Sequence, residues 1–339
     1  MASEFIRPSS RASSILCVVL INRLHLYCQL ITWGRIHMRR YVVLLGAGVM
    51  GQGLARHFHR AGFQVAVVDP NAEALEKLQK SLPELTIAQD LAALSANWAS
   101  ADLVIEAVPE ILSLKTELLA RAEAFFSAQV LIASNTSGLT TADLCRNMRH
   151  PERLAIAHFF NPADVIPVVE LVASAQMPRE RLEQLTELLR GSGKEPAVLH
   201  REVPGFVANR IQHAMMRECL HLLDQGVADA ETIDSIVRWS LGVRLAFTGP
   251  FGQRDLNGLD THLNIAGYLY PDLSAAQTPS ATLQAKVAEG ALGRKSGAGF
   301  YAWDQATQAR AQAAEAALDA LILQESQGAS SAAQQGGQN

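Results

Sequence analysis

The stretch AHFFNPADVIPVVELV, Ala157 to Val172, sets two ionisable side chains, His158 and Glu170, twelve residues apart among residues that favour burial. An imidazole and a carboxylate withdrawn from water must pair or lose their charge. Such a pair either ties two elements together or holds the imidazole as a general base, because histidine exchanges its proton near neutral pH. Upstream, GAGVMG places Gly46, Gly48 and Gly51 in the G-x-G-x-x-G spacing. Between a strand and a helix, that turn lets backbone approach a pyrophosphate, whose charge the helix N-terminus stabilises. Asp69 closes the next apolar run, 23 residues after Gly46, where a carboxylate accepts from a ribose 2′-hydroxyl. It would repel a 2′-phosphate, and the DPNAE segment holds no lysine or arginine to bind one, so the expected cofactor is NAD rather than NADP.

These residues need a scaffold, and the hydrophobic pattern supplies one. YVVLL (41–45), QVAVV (64–68), DLVIEAV (102–108), QVLIAS (129–134) and RLAIAHF (153–159) are short apolar runs rich in valine and isoleucine, as strands buried on both faces are. Helical stretches separate them, which predicts an α/β fold: a Rossmann-type doubly wound parallel sheet over residues 38–203. From residue 204 the strands stop, and FVANRIQHAMMRECLHLLDQG opens a smaller all-helical domain, 204–325, its first helix ending at Gly226. Residues 326–339, small, polar and aperiodic, read as a disordered tail. The first 37 residues hold one acidic residue, Glu4, and an apolar run, Ile15 to Ile21, too short to span a bilayer. They read as a leader, either a transit peptide or an over-long start before Met38, that contributes nothing to fold or catalysis.

Composition narrows the partners. With 29 Lys plus Arg against 33 Asp plus Glu, the 339-residue chain has no overall field to attract nucleic acid or an anionic membrane, so a small-molecule substrate is expected. Cysteines 17, 28, 145 and 219 show no close metal-ligand spacing and no disulfide framework, which fits a reducing, cytoplasmic setting. His57 and His59, two apart on one helix, face different ways, and His213 and His221 read as helix-surface residues; no metal is expected.

Six strings in order, GAGVMGQGLA, ADLVIEAVPE, SNTSGL, AHFFNP, VPGFVANR and GRKSGAGFY, resemble the L-3-hydroxyacyl-CoA dehydrogenase family from about Met38 to Trp303. The resemblance implies NAD-dependent oxidation of a 3-hydroxyl to a ketone, as in fatty acid metabolism. His158 would be the base and Glu170 the group that orients it and stabilises its protonated form. It further implies that Ser137 and Asn209 hydrogen-bond the reacting oxygen. Val49 and Met50 would complete the dinucleotide turn, Glu110 and Lys115 would meet the nicotinamide-side ribose, Asn161 would lie by the nicotinamide, and Lys295 would approach from the helical domain. A homodimer through the helical domain is implied as well.

Two departures bear on the substrate. Typical CoA-using members carry a helical hairpin after the second strand, but here Asp90 follows Asp69 by only 21 positions, room for one helix and a short strand. Pro167 in ADVIPVVELV also resembles relatives acting on small hydroxy-carboxylates such as carnitine or gulonate. The two phenylalanines of HFFNP are the acyl-CoA form of that motif. The leading expectation is a 3-hydroxyacyl-CoA substrate, the alternative a free small 3-hydroxy acid. A third reading, a non-enzymatic NAD-binding protein, would require loss of a catalytic residue, and His158, Glu170, Ser137 and Asn209 are all present.

Overall fold

The computed structural model describes residues 40–336; the leader 1–37 lies outside them, as do the last three residues of the segment read as a tail. Eight strands form one sheet: β1 Tyr41–Leu45, β2 Gln64–Val68, β3 Thr86–Ala88, β4 Leu103–Glu106, β5 Leu131–Ser134, β6 Leu154–Phe159, β7 Val168–Ala173 and β8 Glu195–Val198, in the order β3-β2-β1-β4-β5-β6-β7-β8. The first six run parallel, whereas β7 pairs antiparallel with β6 and β8 runs parallel to β7. The expected doubly wound parallel sheet is thus present and is continued at one edge by two strands, the first of them antiparallel to its neighbour. The reason is connection length: residues 160–167 form a hairpin link, too short for the helical crossover that a parallel pair needs.

Alternate residues of β1 supply both faces of the sheet. Val42 and Leu44 join Leu54 and Phe58 of α1 (Val49–Arg60), Leu75 and Leu78 of α2 (Ala72–Ser81) and Leu185 and Leu189 of α4 (Arg179–Gly191). Val43 and Leu45 face Leu91, Trp98, Phe126 and Ala122 of α3 (Leu112–Phe125). Both faces being dry explains why the strands read as continuous apolar runs rather than alternating ones.

The described chain divides into two units, residues 40–136 with 141–199, and residues 137–140 with 200 onward. The helical unit contains α5 Ala208–Asp224, α6 Ala230–Ile236, α7 Pro250–Asn257, α8 Leu259–Leu269, α9 Ala281–Ala288 and α10 Gln305–Gly336. Gly226, at φ +68°, follows the end of α5 in the left-handed conformation that glycine tolerates. The segment read as a disordered tail differs: α10 continues through it to Gly336, and its alanine and glutamine content favours helix without needing a periodic apolar stripe. No helix of the described residues is long and apolar enough to cross a membrane.

Candidate active site

The glycine turn follows from sterics. Gly46 leaves β1 at φ +117°, and a Cβ there would lie 2.7 Å from the Ala107 carbonyl oxygen. At Gly51 a Cβ would lie 1.9 Å from the Gly46 carbonyl oxygen, so helix and turn approach only because both residues lack side chains. A Cβ on Gly48 would meet no atom within 4 Å, which leaves the N-terminus of α1 open to an anion. Val49 begins that helix largely exposed, and Met50 packs against the core. The Asp69 carboxylate stands beside the turn, accepting from Ala47 N at 2.7 Å through Oδ2 and from Asn71 N at 2.8 Å through Oδ1. Because β1 lies between β2 and β4, the turn occupies the point where strand order reverses, the usual crevice for a dinucleotide in such sheets. These residues fit the NAD expected from the sequence.

At the end of neighbouring β4 the structure reveals a residue the sequence reading missed. Glu106 is fully buried and accepts from Val108 N at 2.7 Å, from Lys115 Nζ at 2.7 Å and from Ser134 Oγ. Lys115, also buried, donates to the Val108 carbonyl and lies 3.2 Å from a Glu110 oxygen, while Thr136 Oγ1 donates to Glu110. One ammonium thus bridges two carboxylates and fixes the VPE turn, and Lys115 is held inside the fold rather than presenting an exposed ammonium. The signal was present: a lone glutamate inside the apolar run DLVIEAV, with a lysine nine residues on.

His158 and Glu170 are direct partners across the antiparallel β6–β7 ladder, so their side chains leave the same face. The His158 Nδ1 to Glu170 Oε2 distance is 2.9 Å, with both residues almost wholly buried. With the Nδ1 proton directed to the carboxylate, the tautomer carries its lone pair on Nε2, the arrangement a general base requires. The Phe160 ring lies against the imidazole at 4.5 Å between centroids. Asn135, another residue the sequence reading passed over, accepts from Phe159 N at 3.0 Å and so ties the end of β5 to the end of β6. Asn161 follows, exposed, near the start of the link to β7.

The remaining expected residues belong to the helical unit. Ser137 stands in the 137–140 segment, Asn209 in the first turn of α5, and Lys295 on an exposed turn at Arg294–Ser296. Before α5 the chain passes through two left-handed residues, Gly205 at φ +75° and Phe206 at φ +48°. Phe206 is buried, which offsets the strain of that conformation and fixes where the helix bearing Asn209 begins. Among the described residues no group of three His, Cys, Asp or Glu side chains could hold a metal ion.

The family described as 3-hydroxyacyl-CoA dehydrogenase, NAD binding domain, matches residues 41–96 and 82–203, and its C-terminal domain matches residues 205–303. A 5-formyl-3-hydroxy-2-methylpyridine 4-carboxylate 5-dehydrogenase of Mesorhizobium japonicum is 31% identical over 282 residues, 78% of this chain and 91% of the relative. A crystal structure of an enzyme so named, described as an NAD+ dependent dismutase, superposes with a TM-score of 0.77 at 29% identity, covering 85% of this chain and 98% of the other. An L-carnitine dehydrogenase of Nocardiopsis dassonvillei is 37% identical over 62% of this chain and 69% of its own length. A 3-hydroxyadipyl-CoA dehydrogenase of Escherichia coli is 34% identical over 77% and 58%, respectively.

Proposed function

Because the chain belongs to the 3-hydroxyacyl-CoA dehydrogenase family, NAD-dependent oxidoreductases acting on CH–OH groups, we propose that it oxidises the secondary alcohol of a small free hydroxy acid. The observation that carries this substrate reading is the short path from β2 to β3, which holds the ten residues of α2 and no helical hairpin to meet a CoA moiety. The likeness to enzymes named for a pyridine carboxylate and for carnitine supports it. A second reading, a CoA thioester, is favoured by the paired phenylalanines Phe159 and Phe160 and by the relative named for hydroxyadipyl-CoA.

Nε2 of His158 takes the hydroxyl proton as hydride leaves the same carbon. Glu170 holds the ring and stabilises the imidazolium. Ser137 and Asn209, placed by resemblance, steady the developing charge on the oxygen. The Gly46–Gly51 turn and Asp69 would hold NAD, with Glu110 toward its ribose and Asn161 and Lys295 assigned to the cofactor by resemblance, and NAD when bound supplies the hydride acceptor.

We further propose a cytoplasmic homodimer formed through the helical unit. Phe251, Leu256, Leu263 and Tyr268 on α7 and α8 are each at least 70% exposed, more apolar surface than a solvated helix pair carries singly. The wide spacing of the four cysteines, at 17, 28, 145 and 219, suits a reducing compartment.

NADH formation measured across a panel of free 3-hydroxy acids, L-carnitine and 3-hydroxyacyl-CoA thioesters tests the substrate. Higher kcat/KM for one of the free acids is expected; a thioester turned over better than every free acid would reverse the order of the two readings.

A further inference from the structure

The link between the two strands of the His158–Glu170 pair is gripped from outside by side chains that the chemistry above does not use. Lys194, just before β8, is buried, and its Nζ donates to the carbonyls of Ala163 at 2.7 Å and Ile166 at 2.6 Å. Both acceptors lie in the 160–167 link. Asp164, between them, receives a two-point contact from Arg56 of α1, Nε at 2.7 Å and an Nη at 3.1 Å, and its carbonyl accepts from Arg60 at 2.9 Å. Gly53 of the same helix permits the approach, since a Cβ there would stand 3.1 Å from the Ala163 Cβ. His57, on α1 between the two arginines, bonds to the Ser192 hydroxyl at 3.0 Å. The segment that carries Asn161 is thus fastened along one side to the helix whose N-terminus forms the dinucleotide turn.

A buried ammonium is a costly way to satisfy two carbonyls that water or a shorter link could serve. Burial, with the nearby charge of Arg60, pushes the Lys194 ammonium down to about 8, against the opposing pull of Asp164. Charge-assisted bonds to fixed carbonyls are, however, stronger and more directional than neutral ones. They suit a link that must stay in one place, because misplacing a reacting group by about 1 Å costs on the order of a hundredfold in rate.

The geometry points to Lys194, with the Arg56–Asp164 pair and Arg60, as a positioning latch that fixes the 160–167 link, and with it Asn161 and the open end of the dyad's hairpin, onto the cofactor helix. These residues touch no substrate; they act through the link. The inference rests on the dehydrogenase reading for its catalytic consequence, but the mechanical part stands separately.

Lys194→Met keeps the stem and removes the donors, and Lys194→Arg restores donors to both carbonyls. The expected result for Lys194→Met has three parts. The Kd for NADH changes by no more than about twofold, amide exchange at 160–167 speeds at least about tenfold with β1 and β4 unchanged, and kcat falls about tenfold to a hundredfold. The kcat probe is whichever of acetoacetyl-CoA and acetoacetate the unmodified protein reduces. Lys194→Arg should recover most of both losses. If Lys194→Met fails to fold, Asp164→Asn reads the same segment from the surface side. Unchanged exchange and kcat, or exchange that rises equally throughout the sheet, would overturn the latch. An unmodified protein that reduces neither probe would count against the substrate reading, while the exchange contrast would still decide the latch.

Discussion

Leu54 and Phe58 on α1 are fully buried, whereas Phe251 on α7 and Leu263 on α8 are 87% and 72% exposed. The contrast extends through both units. The sheet unit hides apolar side chains on both faces and buries two pairs of ionisable groups, His158 with Glu170 and Lys115 with Glu106. Among the described residues of the helical unit, Phe206, Leu220 and Ile233 are the only buried hydrophobic side chains. A sheet covered on both sides supplies its own core, while helices of this length leave an apolar stripe that needs a further surface. The groups with the most constrained geometry stand where packing is densest, and the exposed apolar side chains stand where it is loosest.

Truncating one side chain in each region sharpens that contrast most. Leu54→Ala leaves a cavity in a packed face and should cost about 2–5 kcal/mol in denaturant melts. Leu263→Ala, measured at concentrations where the chain is monomeric, should stay within about 0.5 kcal/mol. Equal losses would erase the distinction.

Acid should weaken the sheet unit through His57. Burial first, then the charges of Lys194 and Arg60, hold its imidazole down to about 3, against the opposing effect of Asp164. The unfolded chain takes up that proton near the ordinary value of 6.5, so the unfolded state binds more protons below it. Stability is therefore complete above about pH 6.5 and falls as pH drops toward 3, with a limiting slope near 1.4 kcal/mol per pH unit. His57→Gln, which retains a partner for Ser192, should flatten the profile over that window. Parallel profiles for the two proteins would show that the imidazole is not held neutral.

The loose region is tested by association. Replacing Phe251 and Leu263 together with glutamate should raise the dimer Kd by about tenfold or more in sedimentation, in line with loss of roughly 1.4 kcal/mol or more at the interface. An unmodified chain that sediments as a monomer at every concentration would remove the dimer from the account. The smallest expected effect concerns cofactor choice: NAD should be preferred over NADP, and Asp69→Ala should narrow the gap by about tenfold. Because Asp69 also holds Ala47 N, that variant should bind both cofactors more weakly. Equal kcat/KM for the two cofactors in the unmodified protein would contradict the assignment.

The same contrast explains what could be read from the sequence. Strands buried on both faces appear as unbroken Val and Ile runs, and the glycine turn follows from steric limits that leave no other residue possible at Gly46 and Gly51. His158 and Glu170 were visible as polar residues in apolar company, but only the antiparallel register shows that they face each other, and that register depends on a link whose path the local pattern does not encode. Glu106 and Lys194 were harder to see. Each serves partners brought near by the fold, Ser134 and Lys115 for one and the Ala163 and Ile166 carbonyls for the other. The helical extension to Gly336 was missed because helix propensity without an apolar stripe resembles a tail.

In the proposed mechanism the buried pair on β6 and β7 performs the proton transfer while the glycine turn independently holds the cofactor. His158→Gln tests it most directly, with kcat and the NADH Kd measured on the same preparation. The expected result is a kcat lower by about 10² to 10⁴-fold, with the Kd within about twofold of the unmodified protein. Near-normal kcat in His158→Gln would contradict it and leave the His158–Glu170 bond as a tie between two strands.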